Sequence, residues 1–304
     1  MGITEEVLHE PVSDITMERT ARIIDGKALA ASMREDLRAR VAGLNDRSGH
    51  VPTLAVILVG EDPASALYVA NKIRACEKVG ILSRTIRRDA SVTTSELLTL
   101  IRTLNADPDV HGILVQLPLP PQIDMAAVLD EIDVRKDVDG FHLYNVGGLV
   151  TGGTVFSPCT PYGVLKLLEH VNIPIEGQNV VVVGASNIVG KPTALMLMGR
   201  DATVSICHAK TRDLAQFTIL ADILVVAAGV PGLIVPQMVK QGAVVIDVGI
   251  NRLPDGSITG DVDFAGVARK ASYITPVPGG VGPMTVTMLL SNTIDAAERM
   301  LLSN

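Results

Sequence analysis

Short apolar runs separated by amphipathic segments recur along the chain. Residues 53–59 read Thr-Leu-Ala-Val-Ile-Leu-Val, without polar alternation, and Gly60 ends the run. Such a run is typical of a parallel strand that is buried on both faces. The segment 63–79 has helical spacing and ends at Gly80. Together they predict one strand–helix unit.

The alternation continues to about residue 147. It predicts a helix at 94–105, a buried strand at 112–116 and a short helix at 125–132. Gly-Gly pairs and the run Ser-Pro-Cys-Thr-Pro lie between residues 147 and 161, which predicts a domain boundary. Thr160 as an N-cap and Pro161 as the first helical residue predict a connecting helix at 162–170.

A second series of apolar runs follows residue 179. Buried strands are predicted at 180–183, 202–206, 223–227 and 243–247. A glycine-rich turn and a helix from about Lys191 follow the first of them. A last helix, 283–302, follows a Pro-Gly-rich loop and is expected to pack on the first half of the chain. The pattern predicts two α/β domains, the second a Rossmann-type doubly wound parallel sheet, that flank a cleft.

Composition narrows the class of protein. The 304 residues suffice for about two domains. With 47% hydrophobic and 19% charged residues, the chain is neither disordered nor fibrous. Lys plus Arg number 26 against 33 Asp plus Glu, a net charge of −7, and aromatic residues are only 3%. No nucleic-acid partner is expected, because both a basic excess and stacking side chains are scarce.

The cysteines, the N-terminal segment and the longest apolar run indicate the cellular compartment in which the protein is expected. Cys76, Cys159 and Cys207 are odd in number and have no Cys-x-x-Cys spacing, so neither a disulfide framework nor a metal site is expected. Residues 1–22 lack the basic and apolar regions of a signal peptide. The longest apolar run, 223–235, is shorter than the roughly 18 residues of a membrane span. We expect a cytoplasmic protein without a membrane partner.

The segment Gly184-Ala-Ser-Asn-Ile-Val-Gly190 lies between a strand and a helix, where a dinucleotide-binding turn belongs. Ser186 replaces the second glycine of the usual pattern, and the last glycine comes one residue late, so a purely structural turn stays open. A tight turn there presents backbone N–H groups to an anion. The next strand ends in His208-Ala-Lys210, without the acidic residue of NAD sites, which favours NADP over NAD. Lys210 is alternatively ordinary surface.

Four other segments carry candidate chemistry. One predicted helix face carries Ser65, Tyr68 and Lys72 within an arc of about 60°. This favours a shared site in which Lys72 acts as general acid/base. The alternative is a surface lysine whose side chain covers a tyrosine. Gln116 ends a strand before the turn at Pro118, on the usual ligand side of a sheet. The third segment is Lys136-Asp-Val-Asp-Gly140, and one of its two carboxylates is expected to face a ligand. The fourth is the rigid loop Thr275-Pro-Val-Pro-Gly-Gly-Val-Gly-Pro283, a candidate ligand wall.

Together these segments resemble the bifunctional methylenetetrahydrofolate dehydrogenase/cyclohydrolase family, from about residue 24 to residue 297. The resemblance rests on Tyr68-Val-Ala-Asn-Lys72, Val115-Gln-Leu-Pro-Leu119, Lys136-Asp-Val-Asp-Gly140, Pro158-Cys-Thr-Pro161, Gly184-Ala-Ser-Asn-Ile-Val-Gly190 and Pro276-Val-Pro-Gly-Gly-Val-Gly-Pro283. It implies oxidation of 5,10-methylenetetrahydrofolate to the methenyl form with NADP, followed by hydrolysis to 10-formyltetrahydrofolate. It further implies a homodimer formed through the cofactor domain.

The resemblance also implies residue roles. Lys72 matches the catalytic lysine, Gln116 tunes it, Tyr68 stacks on the pterin and Asp139 grips its amino edge. Further substrate-binding positions are Ser65, Pro118, Gly279 and Gly282. Cofactor-binding positions are Thr160, Gly184, Ala185, Ser186, Lys210 and Ile250. The implied domains are residues 22–158, completed by helix 284–304, for catalysis and folate binding, and residues 159–283 for NAD(P).

Three departures from the family pattern stand out. Ala185 replaces a common Arg and Ala209 a common Ser, both at positions that help to hold the 2′-phosphate of NADP; Leu143 replaces a common proline. Two alternative functions remain open, a dehydrogenase without cyclohydrolase activity and a non-catalytic NADP-binding sensor. The sensor predicts loss of Lys72, Gln116 or Asp139, and the sequence has all three.

Overall fold

The computed structural model describes residues 20–302 and contains two parallel sheets surrounded by helices. The strands are β1 (Arg22–Ile23), β2 (Thr53–Val59), β3 (Leu82–Arg88), β4 (Gly112–Val115), β5 (Asn179–Val183), β6 (Thr203–Cys207), β7 (Ile223–Val226), β8 (Val244–Asp247), β9 (Asn251–Arg252), β10 (Ile258–Thr259) and β11 (Tyr273–Ile274). The predicted α/β class is confirmed.

The helices cover both sheets. They are α1 (Gly26–Ser48), α2 (Pro63–Val79), α3 (Thr94–Ala106), α4 (Met125–Asp130), α5 (Leu143–Thr151), α6 (Cys159–His170), α7 (Gly190–Met198), α8 (Leu214–Thr218), α9 (Phe264–Ala268) and α10 (Val281–Leu302), with a 3-10 turn at Pro236–Met238. Among the helices of residues 20–302, none is both long and apolar enough to span a membrane.

The smaller sheet has the strand order β3-β2-β4. All seven residues of β2 are buried, as the unbroken apolar run predicts. Strand β3 is absent from the sequence-based prediction because its residues, Leu-Ser-Arg-Thr-Ile-Arg-Arg, are largely polar and half-exposed at the sheet edge. Arginines at an exposed edge discourage pairing with another chain.

The larger sheet has the order β1-β11-β8-β7-β5-β6, and every pair in it is parallel. From β5 the chain first adds β6 on one side and then β7 and β8 on the other. A crevice therefore opens at the carboxyl end of β5, where such sheets bind ligands. The predicted first domain begins at residue 22, whereas β1 (Arg22–Ile23) pairs with β11 and so joins this second sheet.

Helix α10 returns the chain to its first half. It packs on α1 and α6, which confirms the prediction for the last helix, although it begins at Val281 rather than at residue 283. Asn292 Nδ2 donates to Val138 O at 2.9 Å and to Ser157 O at 3.1 Å. Arg40 of α1 pairs with Asp295 of α10 at 2.6 Å. These bonds fix α10 against the loops that lead into the site.

The predicted Gly-rich boundary is partly helical. Helix α5 covers its first residues in spite of two internal glycines, one of which, Gly148, lies so close to Thr154 that a Cβ would reach its backbone at 2.5 Å. Helix α6 begins at Cys159, with Pro158 as N-cap and no side-chain cap. The prediction of Thr160 as the N-cap is therefore wrong. Thr160 Oγ1 instead lies 3.0 Å from Thr285 Oγ1 of α10.

Candidate active site

A cleft of about 820 Å³ lies between the two sheets. Its first wall is formed by α2, the end of β4 and the loop after residue 136. Its second wall is formed by the glycine loop before α7 and the loop after β8, and α10 closes the end. Of the residues predicted for the site, it brings together Tyr68, Lys72, Gln116, Asp139, Thr160, Ile250 and Gly282.

Lys72 and Gln116 form the central polar pair of the first wall. Lys72 Nζ donates to Gln116 Oε1 at 3.1 Å. Gln116 follows β4, and its backbone N–H bonds Ile57 O of the neighbouring strand at 2.9 Å. Its Nε2 donates to Leu117 O at 2.6 Å. This second bond fixes the orientation of the amide, so that the acceptor oxygen and not the donor faces Lys72.

Helix α2 positions Tyr68 and Lys72 one turn apart. Asp62 caps the helix by accepting the Ser65 N–H at 2.7 Å. Tyr68 is 43% exposed and lines the cleft. Ser65 is 4% exposed and lies outside the cleft lining, although it is on the same helix face. The cleft therefore receives a phenol and an amine from α2.

The two carboxylates of the segment 136–140 have separate roles. Asp137 is buried and accepts the N–H groups of Gly140, Phe141 and His142, together with Asn145 Nδ2 at 2.7 Å. Burial raises the pKa of Asp137, although these bonds oppose it. These hydrogen bonds show that Asp137 holds the loop of residues 140–142 in place.

Asp139 is the carboxylate that faces the cleft. Burial raises the pKa of Asp139, while the positive charge of Lys72 opposes the rise. Lys136 turns away from the cleft, and its ammonium donates to three carbonyls at the end of α3, those of Leu104, Asn105 and Asp107. The segment thus offers one carboxylate to a ligand rich in N–H donors.

The Pro-Gly-rich loop 275–283 forms a tightly packed end wall. A Cβ on Gly26 would come 1.9 Å from Gly280 O, so α1 and this loop touch through backbone alone. Gly282 lines the cleft, and a Cβ there would lie 3.7 Å from Ile250 Cδ1. Gly279 has φ +114° and accepts the Lys27 N–H through its carbonyl, outside the lining. Pro118 also lies outside the lining, in the turn behind Gln116.

The glycine loop after β5 is closely packed against neighbouring backbone. Gly184 has φ +119°, and a Cβ there would come 2.1 Å from Ala227 O. A Cβ on Gly190 would come 2.0 Å from Gly184 O. Ser186 Oγ accepts the N–H groups of Val189 and Gly190 at 3.2 and 3.3 Å. The serine therefore bonds the backbone that leads into α7, whose N-cap residue, Val189, provides no side-chain cap of its own.

The basic end of β6 lies beside this loop, because Gly184 N–H bonds Cys207 O at 2.9 Å. His208 N–H donates to Thr211 Oγ1 at 2.9 Å, and Lys210 N–H lies 3.1 Å from His208 Nδ1. These bonds hold a turn from which the exposed Lys210 extends. A tight loop that presents backbone N–H groups, with a cation beside it, is chemically suited to an anionic dinucleotide, although Gly184, Ala185, Ser186 and Lys210 lie outside the cleft lining.

Four further cations line the cleft and escaped the sequence analysis: Lys27, Arg34, Arg74 and Lys78. Within residues 20–302, none of them forms an ion pair with a carboxylate. Lys78 lies ten residues after Tyr68 on α2, about 15 Å along the helix. No set of three or more His, Cys, Asp or Glu side chains able to hold a metal occurs in the part of the chain that the structure describes.

A doubly wound sheet with a dinucleotide loop, facing a lysine–glutamine pair across a cleft, defines a nicotinamide-dependent α/β oxidoreductase. Residues 24–139 match the model for the "Tetrahydrofolate dehydrogenase/cyclohydrolase, catalytic domain", and residues 158–301 match its "NAD(P)-binding domain". The chain belongs to the tetrahydrofolate dehydrogenase/cyclohydrolase family.

Individual relatives agree with this assignment. The "Bifunctional protein FolD" of Ralstonia pickettii is 60% identical over 280 residues, which covers 92% of this chain and 96% of that protein. The crystal structure of FolD from Campylobacter jejuni has a TM-score of 0.90 at 53% identity, covering 92% of this chain and 99% of that one. The Trypanosoma brucei enzyme, solved with NADP and an inhibitor, has a TM-score of 0.89 at 40% identity, covering 92% and 98%.

Proposed function

We propose that this chain is a cytoplasmic, homodimeric bifunctional enzyme. It oxidises 5,10-methylenetetrahydrofolate to 5,10-methenyltetrahydrofolate with NADP, and then hydrolyses that product to 10-formyltetrahydrofolate. The observation that carries this function is the convergence of Lys72, Gln116 and Asp139 on one wall, opposite the cofactor loops. Apart from β1, which joins the second sheet, residues 22–158 with the last helix are proposed as the catalytic, folate-binding domain, and residues 159–283 as the NADP-binding domain.

In the oxidation step the residues of the cleft act mainly by orientation. When bound, NADP accepts the hydride that leaves the methylene carbon. Asp139 accepts hydrogen bonds from the amino edge of the pterin, and the Tyr68 ring stacks on the folate. Ile250 is 47% exposed and supplies an apolar surface on the cofactor side. Because the reacting carbon is already activated by two nitrogens, alignment is the main requirement.

In the hydrolytic step Lys72 handles the protons. Its amine takes a proton from the water that attacks the methenyl carbon and delivers it to N5 as the bond between that carbon and N5 breaks; the second proton of the water is released to solvent as the formyl C=O forms. Gln116 holds the Lys72 amine through the 3.1 Å bond. The cyclohydrolase reaction uses no hydride acceptor, so its chemical step is proposed to rest on Lys72 and Gln116 of the first wall.

The four cations that form no ion pair within residues 20–302 are proposed to bind the anionic part of the substrate. Folates end in glutamyl carboxylates, and Lys27, Arg74 and Lys78, which line the same cleft as Tyr68, are proposed to pair with them. A positive lining in a chain of net charge −7 also attracts an anionic substrate. A bound carboxylate would add an ion pair to side chains that, within residues 20–302, have at most neutral hydrogen-bond acceptors, as Arg34 and Arg74 do.

The preference for NADP is proposed to come from the tip of β6. Ala185 and Ala209 cannot bond a phosphate through their side chains, so His208, Lys210 and Thr211 must take that role. The turn that holds these residues supports this proposal. Measured kcat/KM values for NADP and NAD test it, and equal values would contradict it.

The homodimer is proposed to form through the edge of the cofactor sheet. Strand β6 is an edge strand, and apolar side chains near it are exposed, namely Met198, Ile206, Phe217 and Leu220. Clusters of exposed apolar residues mark interaction surfaces. Light scattering of the purified protein distinguishes a dimer from a monomer.

A spectrophotometric assay tests the function. Purified protein is given 5,10-methylenetetrahydrofolate with NADP or NAD, and reduced cofactor and methenyl product are read separately. Reduced cofactor with little methenyl accumulation is the expected result. Persistent methenyl signal would leave a dehydrogenase only, and absence of turnover in a folded protein would favour a binding sensor.

A further inference from the structure

Two buried carboxylates lie at the carboxyl end of the large sheet, outside the residues used so far. Asp261 is fully buried and Asp247 is 4% exposed. Asp261 accepts the backbone N–H groups of three consecutive residues, 228–230, at 2.7–3.0 Å, and Asn251 Nδ2 at 2.8 Å. Four donors converge on this one side chain.

These four donors belong to two different loops of the cofactor side. Residues 228–230 follow β7, and Ala227 at their start lies directly against Gly184 of the dinucleotide loop. Asn251 follows Ile250, whose side chain lines the cleft. Asp261 therefore links the loop that packs on Gly184 to the loop that carries Ile250.

Asp247 holds Asp261 in place through the backbone. Its carboxylate accepts the N–H groups of Asp261, Val262 and Gly249 at 2.9–3.0 Å. Two glycines make room for the pair. A Cβ on Gly249 would lie 2.3 Å from Asp261 Oδ1, and one on Gly260 would lie 1.9 Å from Asp247 Oδ2. The cluster is thus packed too closely for Asp261 to point elsewhere.

We infer that Asp261 is a positioning residue for the dehydrogenase reaction, which sets the loop after β7 and the Ile250 loop at the spacing that the dinucleotide requires. The inference rests on the proposed function. Asp261 lies on the cofactor side of the cleft and does not line it, so its loss acts on cofactor binding through these loops. The Lys72–Gln116 pair belongs to the other sheet, so hydrolysis of methenyltetrahydrofolate is independent of Asp261.

The test is the variant Asp261→Asn. An amide of nearly the same shape turns an NH₂ group towards backbone N–H donors and removes the charge from four hydrogen bonds. We expect KM for NADP to rise about tenfold or more, while kcat/KM for methenyltetrahydrofolate hydrolysis stays within about twofold of the wild-type value. Fluorescence titration with NADPH measures the same loss without catalysis.

The matched control is Asp222→Asn. Asp222 also accepts a backbone N–H, that of Asn179 at 2.9 Å, and pairs with Lys240, but it lies at the opposite end of the same sheet. It is expected to leave KM for NADP unchanged. Asn251→Ala removes one of the four donors and keeps the carboxylate, so we expect a smaller rise in KM for NADP. This variant tests the inference if Asp261→Asn does not fold.

The outcomes separate the inference from the function. Unchanged NADPH affinity in folded Asp261→Asn and Asn251→Ala, or an equal fall of both activities, would overturn the positioning role. Absence of both activities in the wild type would instead contradict the proposed function, and the NADPH titration would still test Asp261.

Discussion

Asp247 gives the molecule an unusual dependence of stability on pH. Burial raises the pKa of Asp247 from its ordinary 3.8 to about 6; three backbone N–H bonds oppose the rise and the charge of Asp261 adds to it. Since the folded pKa lies above the unfolded one, the folded state binds this proton more tightly. The stabilisation is fully present below about pH 4 and is lost as pH rises through about 6.

The magnitude follows from the shift. About two pKa units correspond to about 3 kcal/mol in total, of which about 1.4 kcal/mol is lost between pH 5 and pH 8. Urea unfolding of the wild type and of Asp247→Asn at pH 5, 6, 7 and 8 measures this loss, because the amide does not titrate. The free energy of unfolding of the wild type, relative to the variant, should fall by that amount as pH rises.

Asp222→Asn is the control, because the pKa of Asp222 is shifted in the opposite direction to that of Asp247. The hydrogen bond from Lys240 and the Asn179 N–H lower the pKa of Asp222, so it stays charged throughout this range. Its difference from the wild type should not change between pH 5 and pH 8. If the Asp247→Asn difference were equally flat, the three N–H bonds would outweigh burial, and the reasoning would be refuted.

Three further predictions concern the cleft. Lys72→Met should abolish methenyl hydrolysis with the fold intact, as followed by methenyl absorbance and circular dichroism; full hydrolysis would contradict the role of Lys72. Gly184→Ala should destabilise the protein by about 1–3 kcal/mol and weaken NADP binding, because φ is +119° and the methyl group would meet Ala227 O. Normal NADP affinity would contradict it. Lys78→Gln should raise KM for the folate about two- to fivefold at low salt, with the difference shrinking as salt is added. A salt-independent KM ratio would argue against an ionic contact.

The sequence predicts elements best where burial is uniform. Strands β2 and β5 are nearly continuous apolar runs, and the predicted positions agree with the structure. Strand β3 was not predicted because edge strands need not be apolar. Helix α5 was not predicted because glycine disfavours helices, although a close contact with Thr154 requires a glycine at position 148. Local propensity carries no information about such contacts.

The sequence likewise predicts some features of the site and not others. Helical spacing placed Tyr68 and Lys72 on one face, but it could not show that Ser65 on that face is buried outside the cleft. Nor does the Asp-x-Asp spacing distinguish the loop-holding Asp137 from the cleft-facing Asp139. The roles of Ser186 and Asp261 depend mainly on backbone N–H groups, which every residue except proline has, so no sequence pattern marks them.

The position of α10 has a consequence for folding during synthesis. Strands β5 to β8 and β11 all lie within residues 179–274, so most of the cofactor sheet can assemble as it leaves the ribosome. Helices α1 and α6, by contrast, keep an apolar face uncovered until the last segment has been made, because α10 is the element that covers them. The part of the enzyme translated first is therefore completed last, and a chain that stops before residue 281 would retain a cofactor-binding sheet beside an unfinished catalytic half.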